Sequence, residues 1–353
     1  MVGFHLHIPL QFPHTAGRTE QSMKVLVLGG TKFVGRAIAE EALAKGHDVT
    51  LFNRGNRPSV AGCTTLVGDR RAADGYKALE GLDFDIVFDT WGQEANAVKS
   101  AVDALRGHIK QYVFISTVSV YDLSSEPALY DESQTLYDPE KSPIAYCKDK
   151  VESENAAESS GVPALILRPG LIIGPYEDTN GRLTTWLERF DRGGPTLVPG
   201  PQDSKLQFID VRDLADFALH GAENGLSGRY NVVAPKGTVT LGEVLLQART
   251  ATDNKAKLCW MTPEQIKEAE LKAFVEFPMW LTSPSNVIFN ADSKKAVAAG
   301  LTFRPLSLTV NDTWEYMKGL EDKGAPNDSG MTLGIEREKE QKLLKQYFPE
   351  ETD

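Results

Sequence analysis

The segment from Lys24 to Phe52 constrains the fold more than any other part of the chain. It runs through an apolar stretch Val25-Leu26-Val27-Leu28, a loop Gly29-Gly30-Thr31-Lys32-Phe33-Val34-Gly35, a helical stretch from Ala37 to Lys45, and a second apolar stretch Val49–Phe52. A strand, a helix and another strand with continuous apolar runs make a βαβ unit whose parallel strands are covered on both faces. A glycine-rich turn between the first strand and the helix lets backbone N–H groups approach a pyrophosphate. All seven residues from Gly29 to Gly35 are therefore candidate dinucleotide contacts. Sites of this kind usually carry an acidic residue about 20 positions further on, which holds the ribose hydroxyls. Here that position reads Asn53-Arg54. Without the carboxylate, a 2'-phosphate meets no repulsion, and Arg54 offers it a forked cation, with Lys32 as a second positive contact. NADP(H) is thus favoured over NAD(H). Asp69, just after the third strand, suits either a contact to the adenine amine or a plain strand-end turn.

Further strands are expected at Thr65–Val67, Ile86–Phe88, Tyr112–Ser116 and Ala164–Leu167, alternating with helices at Asn96–Leu105 and Tyr146–Ser159. This alternation predicts an α/β fold, a doubly wound parallel Rossmann sheet with a smaller C-terminal substrate-binding region. The expected divisions are a flexible N-terminal extension at 1–22, an NAD(P)-binding Rossmann domain at 23–170, a mostly substrate-binding region at 171–330 in which 205–235 returns to the Rossmann domain, and a C-terminal helix and tail at 331–353.

Ser116-Thr117-Val118-Ser119 ends an apolar strand, where open α/β sheets receive their ligands. Downstream, Tyr146 and Lys150 stand four residues apart, hence on one face of a helix. A phenol becomes a usable acid-base group when a fixed cation stabilises its anion. Tyr137 and Lys141 share that spacing, but Pro139 within the pair and Pro143 behind it oppose a continuous helix. Ser142-Pro143 instead reads as the N-cap and first residue of the helix that carries Tyr146.

The order of glycine loop, Ser-Thr strand end and Tyr-x-x-x-Lys resembles an extended short-chain dehydrogenase/reductase, the NAD-dependent epimerase/dehydratase family. The resemblance spans about residues 24–320 and includes Leu167-Arg-Pro-Gly-Leu-Ile-Ile-Gly-Pro175 and Phe208-Ile-Asp-Val-Arg-Asp-Leu-Ala215. It implies that Thr117 polarises the substrate oxygen, Tyr146 exchanges its proton and Lys150 holds the nicotinamide ribose. It also implies a homodimer. Three departures are visible. Lys32 replaces the usual middle glycine, as in a less typical, reductase-like branch. Gly170 stands where nucleotide-sugar epimerases use an asparagine, and Leu206 where they use an arginine, with Lys205 beside it. These lower the expectation of a nucleotide-sugar substrate, for which a pocket would have to be rebuilt from residues such as Arg182, Trp186 or Tyr176.

Composition narrows the function classes. The 353 residues carry 38 Lys and Arg against 49 Asp and Glu, a formal charge of -11 that disfavours a broad grip on nucleic acid or an anionic membrane. Three cysteines without paired spacing suit a reducing cytoplasm, and six scattered histidines suggest no metal site. The leading expectation is an oxidoreductase moving a hydride between NADP(H) and a carbonyl or secondary alcohol on a small-molecule substrate. The alternatives are an epimerase or dehydratase that retains its NAD(P), and a non-catalytic NAD(P)-binding redox sensor.

Overall fold

The computed structural model describes residues 22–141, 144–177, 181–320 and 333–351. The expected N-terminal extension lies outside these apart from Ser22, as do Ser142, Pro143 and the two ends of the expected tail. Strand β1 (Lys24–Leu28), helix α1 (Phe33–Ala44) and strand β2 (Asp48–Asn53) form the opening unit. Then follow β3 (Thr64–Val67), β4 (Phe84–Asp89), α2 (Ala95–Ala104), β5 (Ile109–Ile115), α3 (Ala145–Glu158) and β6 (Ala164–Pro169). Beyond Pro169 come β7 (Leu171–Ile173), α4 (Arg182–Arg192), β8 (Gly194–Pro199), β9 (Phe208–Asp210), α5 (Val211–Glu223), β10 (Gly228–Val232), α6 (Leu241–Ala251) and β11 (Ala256–Met261). The chain closes with α7 (Pro263–Glu268), α8 (Lys294–Ala298), α9 (Leu306–Lys318) and α10 (Arg337–Tyr347).

The central sheet has seven strands in the order β10-β6-β5-β4-β1-β2-β3, and every pairing is parallel. Apolar side chains alternate between its two faces. Val25, Val27, Ile38, Leu51 and Phe217 build the core under α1 and α5. Leu26, Leu28, Phe52, Val98, Tyr112 and Ala157 build the one under α2 and α3. The chain winds outward from β1 to β3 on one side, then crosses to β4 on the other. The loops after β1 and β4 therefore diverge and leave a crevice at the carboxyl ends of the strands.

A third core gathers the C-terminal elements around Trp186, Phe190, Leu197, Val244, Phe277 and Trp314. There β8 pairs with β11 and β7 with β9, in small parallel sheets apart from the main one. Helix α10 is locked to this core by Glu340, which accepts from Arg189 at 2.5 Å and from the Leu197 amide at 3.0 Å. Between the small sheets the chain revisits the main sheet through β10, whose Tyr230 lies opposite Leu167 of β6.

Two helix starts differ from expectation. Helix α1 begins at Phe33 rather than Ala37, because the glycine loop itself supplies the first turn. Helix α3 begins at Ala145 with Ile144 at the N-cap. Ile144 is extended (φ −104°, ψ 103°), which sets the first helical residue at Ala145.

Candidate active site

The cofactor end of the site follows from backbone geometry. Gly29 and Gly30 have φ of +115° and +88°, values that side-chain-bearing residues rarely adopt. A Cβ on Gly35 would fall 2.7 Å from the Gly30 amide nitrogen, so the first turn of α1 can close on the loop only with glycine there. Lys32 holds the N-cap of α1 in an extended conformation, and its side chain does not cap the helix. Thr31, Phe33 and Val34 are half-buried around it. Uncapped N–H groups at a helix start form an anion site. At the end of β2, Asn53 Oδ1 accepts from the Gly55 amide at 2.8 Å, while its Nδ2 is buried without a partner. Arg54, next along, is exposed at the rim of the crevice. A buried orphan donor beside a glycine cradle and an exposed guanidinium is a donor set that fits a dinucleotide. Of the two roles weighed for Asp69, the turn is present: its Oδ1 accepts from the Arg71 amide at 3.0 Å.

The Thr117, Tyr146 and Lys150 side chains sit across the crevice. Thr117 follows β5, and its Oγ1 accepts from the Ser119 amide at 3.1 Å. Ser116 is engaged elsewhere, donating to buried Glu154 at 2.5 Å. Of the two adjacent hydroxyls, Thr117 stays within the pocket, donating to Ser119 Oγ at 3.2 Å beside the Tyr146 phenol. Tyr146 keeps 44% of its surface exposed, but its phenol is turned toward Thr117 and Arg182 in the pocket. Burial raises the phenol pKa there, and the Thr117 hydrogen bond and the Arg182 charge pull it back. One helical turn on, Lys150 is buried, with Nζ donating at 2.7 Å to each of the Trp91 and Ile115 carbonyls. Desolvation lowers its pKa to about 8, against the opposing pull of Asp89 and Glu154. The competing pair is not helical: Lys141 closes a turn on the Asp138 carbonyl and pairs with the Asp138 carboxylate.

Sequence reasoning missed two buried networks behind this site. Asp89, at the end of β4, accepts both Arg70 Nη atoms at 2.7 and 2.6 Å and the Tyr112 hydroxyl at 2.6 Å. Glu154 accepts from Arg168 Nε at 2.9 Å and Nη2 at 2.6 Å, and Arg168 also donates to Tyr121 at 2.8 Å. An aspartate ending an otherwise apolar strand, and an arginine inside another, were the only available signals.

Thr117, Ser119 and Tyr146 line a pocket of about 280 Å³, walled by Leu171, Ile172, Phe274, Leu281, Ile288 and Phe289. The candidates for rebuilding a substrate site separate here. Trp186 is fully buried and donates to the Pro278 carbonyl, so it belongs to the core. Tyr176 bonds Glu40 and packs edge-on against Tyr316, away from the pocket. Arg182 lines the pocket. Gly170 lines it too, and a Cβ there would meet Val233 at 2.7 Å, so the asparagine of the epimerase pattern has no room. Lys205 is exposed, and Leu206 is buried in the C-terminal core.

Among the described residues, no group of side chains could hold a metal ion and no helix is long and apolar enough to cross a membrane. All three cysteines are free.

Sheet order, glycine cradle and Tyr-Lys helix together define an NAD(P)-binding Rossmann enzyme. Residues 25–233 match the model of the NAD dependent epimerase/dehydratase family, and the chain belongs to that family of NAD(P)-dependent reductases and epimerases. A relative from Arabidopsis thaliana, the chloroplast stem-loop binding protein of 41 kDa b, is 27% identical over 77% of this chain and 77% of its own. The 2-alkyl-3-oxoalkanoate reductase of Stenotrophomonas maltophilia is 30% identical over 55% of this chain and 64% of its own. The crystal structure of UDP-N-acetylglucosamine 4-epimerase from Bacillus cereus shares the fold, with a TM-score of 0.65 and 20% identity over 85% of this chain and 98% of that one.

Proposed function

We propose that the protein is an NADP(H)-dependent carbonyl reductase, or the reverse secondary-alcohol dehydrogenase, in which Tyr146 moves the proton. The observation that carries this is the convergence of Thr117 and Tyr146 on one pocket, with Lys150 clamped one turn behind the phenol. When bound, the nicotinamide supplies or accepts the hydride. Tyr146 gives its hydroxyl proton to the substrate oxygen, and the buried Lys150 ammonium stabilises the phenolate left behind. Thr117, which accepts from the Ser119 amide and donates to Ser119 Oγ at 3.2 Å in the free site, turns its hydrogen to the same oxygen when substrate binds. NADP(H) over NAD(H) rests on Arg54 and on the absence of a carboxylate at Asn53. The pocket supports net reduction over epimerisation of a nucleotide sugar. Its 280 Å³ sits at the lower limit of small-molecule sites, about 300–1,000 Å³, and it lacks the epimerase asparagine. The relative named for 2-alkyl-3-oxoalkanoate reduction points the same way. The free thiols suit work in a reducing compartment such as the cytoplasm.

The test is net oxidation of NADPH against a panel of small ketones, for wild type and Tyr146→Phe. The variant should bind NADPH normally and lose about 10²- to 10⁴-fold in kcat, the range of a general acid. Turnover at the wild-type rate in Tyr146→Phe sinks the mechanism. NAD that survives purification, with no net NADPH consumption, replaces it with an internally recycled hydride.

A further inference from the structure

Among the described residues the substrate pocket holds one charged side chain, Arg182, and that side chain has no hydrogen-bonded counterion. Among the described lining residues only Arg182 is ionic. Among the described residues the nearest carboxylate oxygen, Glu177 Oε1, is 3.9 Å from Nη1, a loose ion pair beyond hydrogen-bond distance. That carboxylate is already engaged by the backbone, accepting from the Arg182 amide at 2.7 Å and the Leu183 amide at 3.1 Å to close the start of α4. Arg182 Nε is buried with no partner at all. The guanidinium is held from one side by the Phe274 ring, 5.7 Å from its centroid.

The other polar wall groups narrow the ligand further. The amide of Gln207 is fully employed: Nε2 donates to the Ala234 and Ala291 carbonyls, and Oε1 accepts from the Ala291 amide. What remains for a ligand is the hydroxyl set of Thr117, Ser119 and Tyr146, one cation, and apolar wall. A cavity of this size therefore offers one polar point for a carbonyl oxygen, one for a negative charge, and hydrocarbon contact for the remainder.

We infer that Arg182 is the anion anchor of the substrate pocket, and that the substrate is an oxo acid, or the matching hydroxy acid, with an apolar body. This rests on the reductase reading above. A carboxylate matches a guanidinium in charge and in its paired-oxygen geometry. A phosphate dianion would bring a second charge that no further cation in the pocket compensates, and a buried uncompensated charge is heavily disfavoured. The anchor also serves the proton step: the free Arg182 charge lowers the phenol pKa, and a bound carboxylate would cancel that effect and keep Tyr146 protonated for donation.

The experiment compares kcat/KM of the NADPH-loaded enzyme for 3-oxooctanoate, its methyl ester, and dihydroxyacetone phosphate, in wild type, Arg182→Lys and Arg182→Met. Wild type should prefer the acid to the ester by about 30-fold, the scale of a charge-assisted pair. Arg182→Met should bring the ratio near one, mainly through KM for the acid, and Arg182→Lys should retain part of it. A second arm reads binding without turnover: calorimetric titration of 3-hydroxyoctanoate and its methyl ester into the NADP-bound protein. Acid binding in wild type that disappears in Arg182→Met, with an unchanged melting temperature, supports the anchor even if no NADPH is consumed, in which case only the reductase reading fails. A wild-type ratio near one, a preference that survives Arg182→Met, a better rate with the phosphate, or no acid binding in wild type each overturns the inference.

Discussion

Charge is treated in opposite ways behind the crevice and at the wall of the pocket. Behind the crevice the two buried arginines are matched: Arg70 forks onto Asp89, and Arg168 onto Glu154, with tyrosine hydroxyls taking up further bonds. At the pocket wall the half-buried Arg182 has its nearest described carboxylate, Glu177, turned to backbone amides, whereas Arg189 of the same helix is matched by Glu340. Lys150 lies between these extremes, a cation held by carbonyls rather than by a counterion. A matched pair fixes architecture, because removing either member strands the other in low dielectric. A cation at a cavity wall that is only loosely paired keeps hydrogen-bond donors unused.

The largest test of this contrast is Arg168→Met. It leaves Glu154 buried with Ser116 as its remaining short contact, and should lower unfolding free energy in urea by about 3–5 kcal/mol. The double variant Arg168→Met/Glu154→Leu should recover most of that loss, and Arg182→Met should shift stability by only about 0.5 kcal/mol. Equal losses for Arg168→Met and Arg182→Met would erase the distinction.

A somewhat smaller effect is expected at Lys150. Its pKa falls from 10.5 to about 8 in the fold, so between those values the unfolded chain binds more protons and stability rises with pH. Below pH 8 the desolvation of the ammonium acts in full. The stability of wild type relative to Lys150→Met should therefore climb by about 3 kcal/mol from pH 8 to pH 10.5, measured by denaturant titration at stepped pH. A flat difference would mean that the ammonium is not desolvated. The smallest effect concerns the rim: Arg54→Ala should cut the preference for NADPH over NADH about tenfold, near 1.4 kcal/mol, in a fluorescence titration. An unchanged preference would move the phosphate contact elsewhere.

The parts legible in the sequence were those encoded locally. The glycine loop between strand and helix located the crevice, and the proline argument separated Tyr146 and Lys150 from Tyr137 and Lys141, which the structure puts in a turn. The start of α1 was misjudged because Lys32 and Phe33 read as loop residues, whereas Phe33 enters the helix through a positive φ of 40°. The start of α3 was misjudged because Ser-Pro is a strong opening signal, yet Ile144 interposes an extended residue. What could not be read at all depends on partners far apart in the chain. Nothing in the neighbourhood of Gly170 announces Val233 against it, and nothing near Arg182 announces that Trp186, one turn further along α4, points into the core instead.

The clamp on Lys150 has a consequence for how such a site can change over generations. Both acceptors are main-chain carbonyls, at Trp91 and Ile115, so no side-chain replacement at those two positions deletes an anchor. Only a change in the path of the backbone would move the ammonium. The walls of the pocket can therefore drift while Lys150 stays where it is, so the position of the ammonium is conserved by the fold and the lining is free to change.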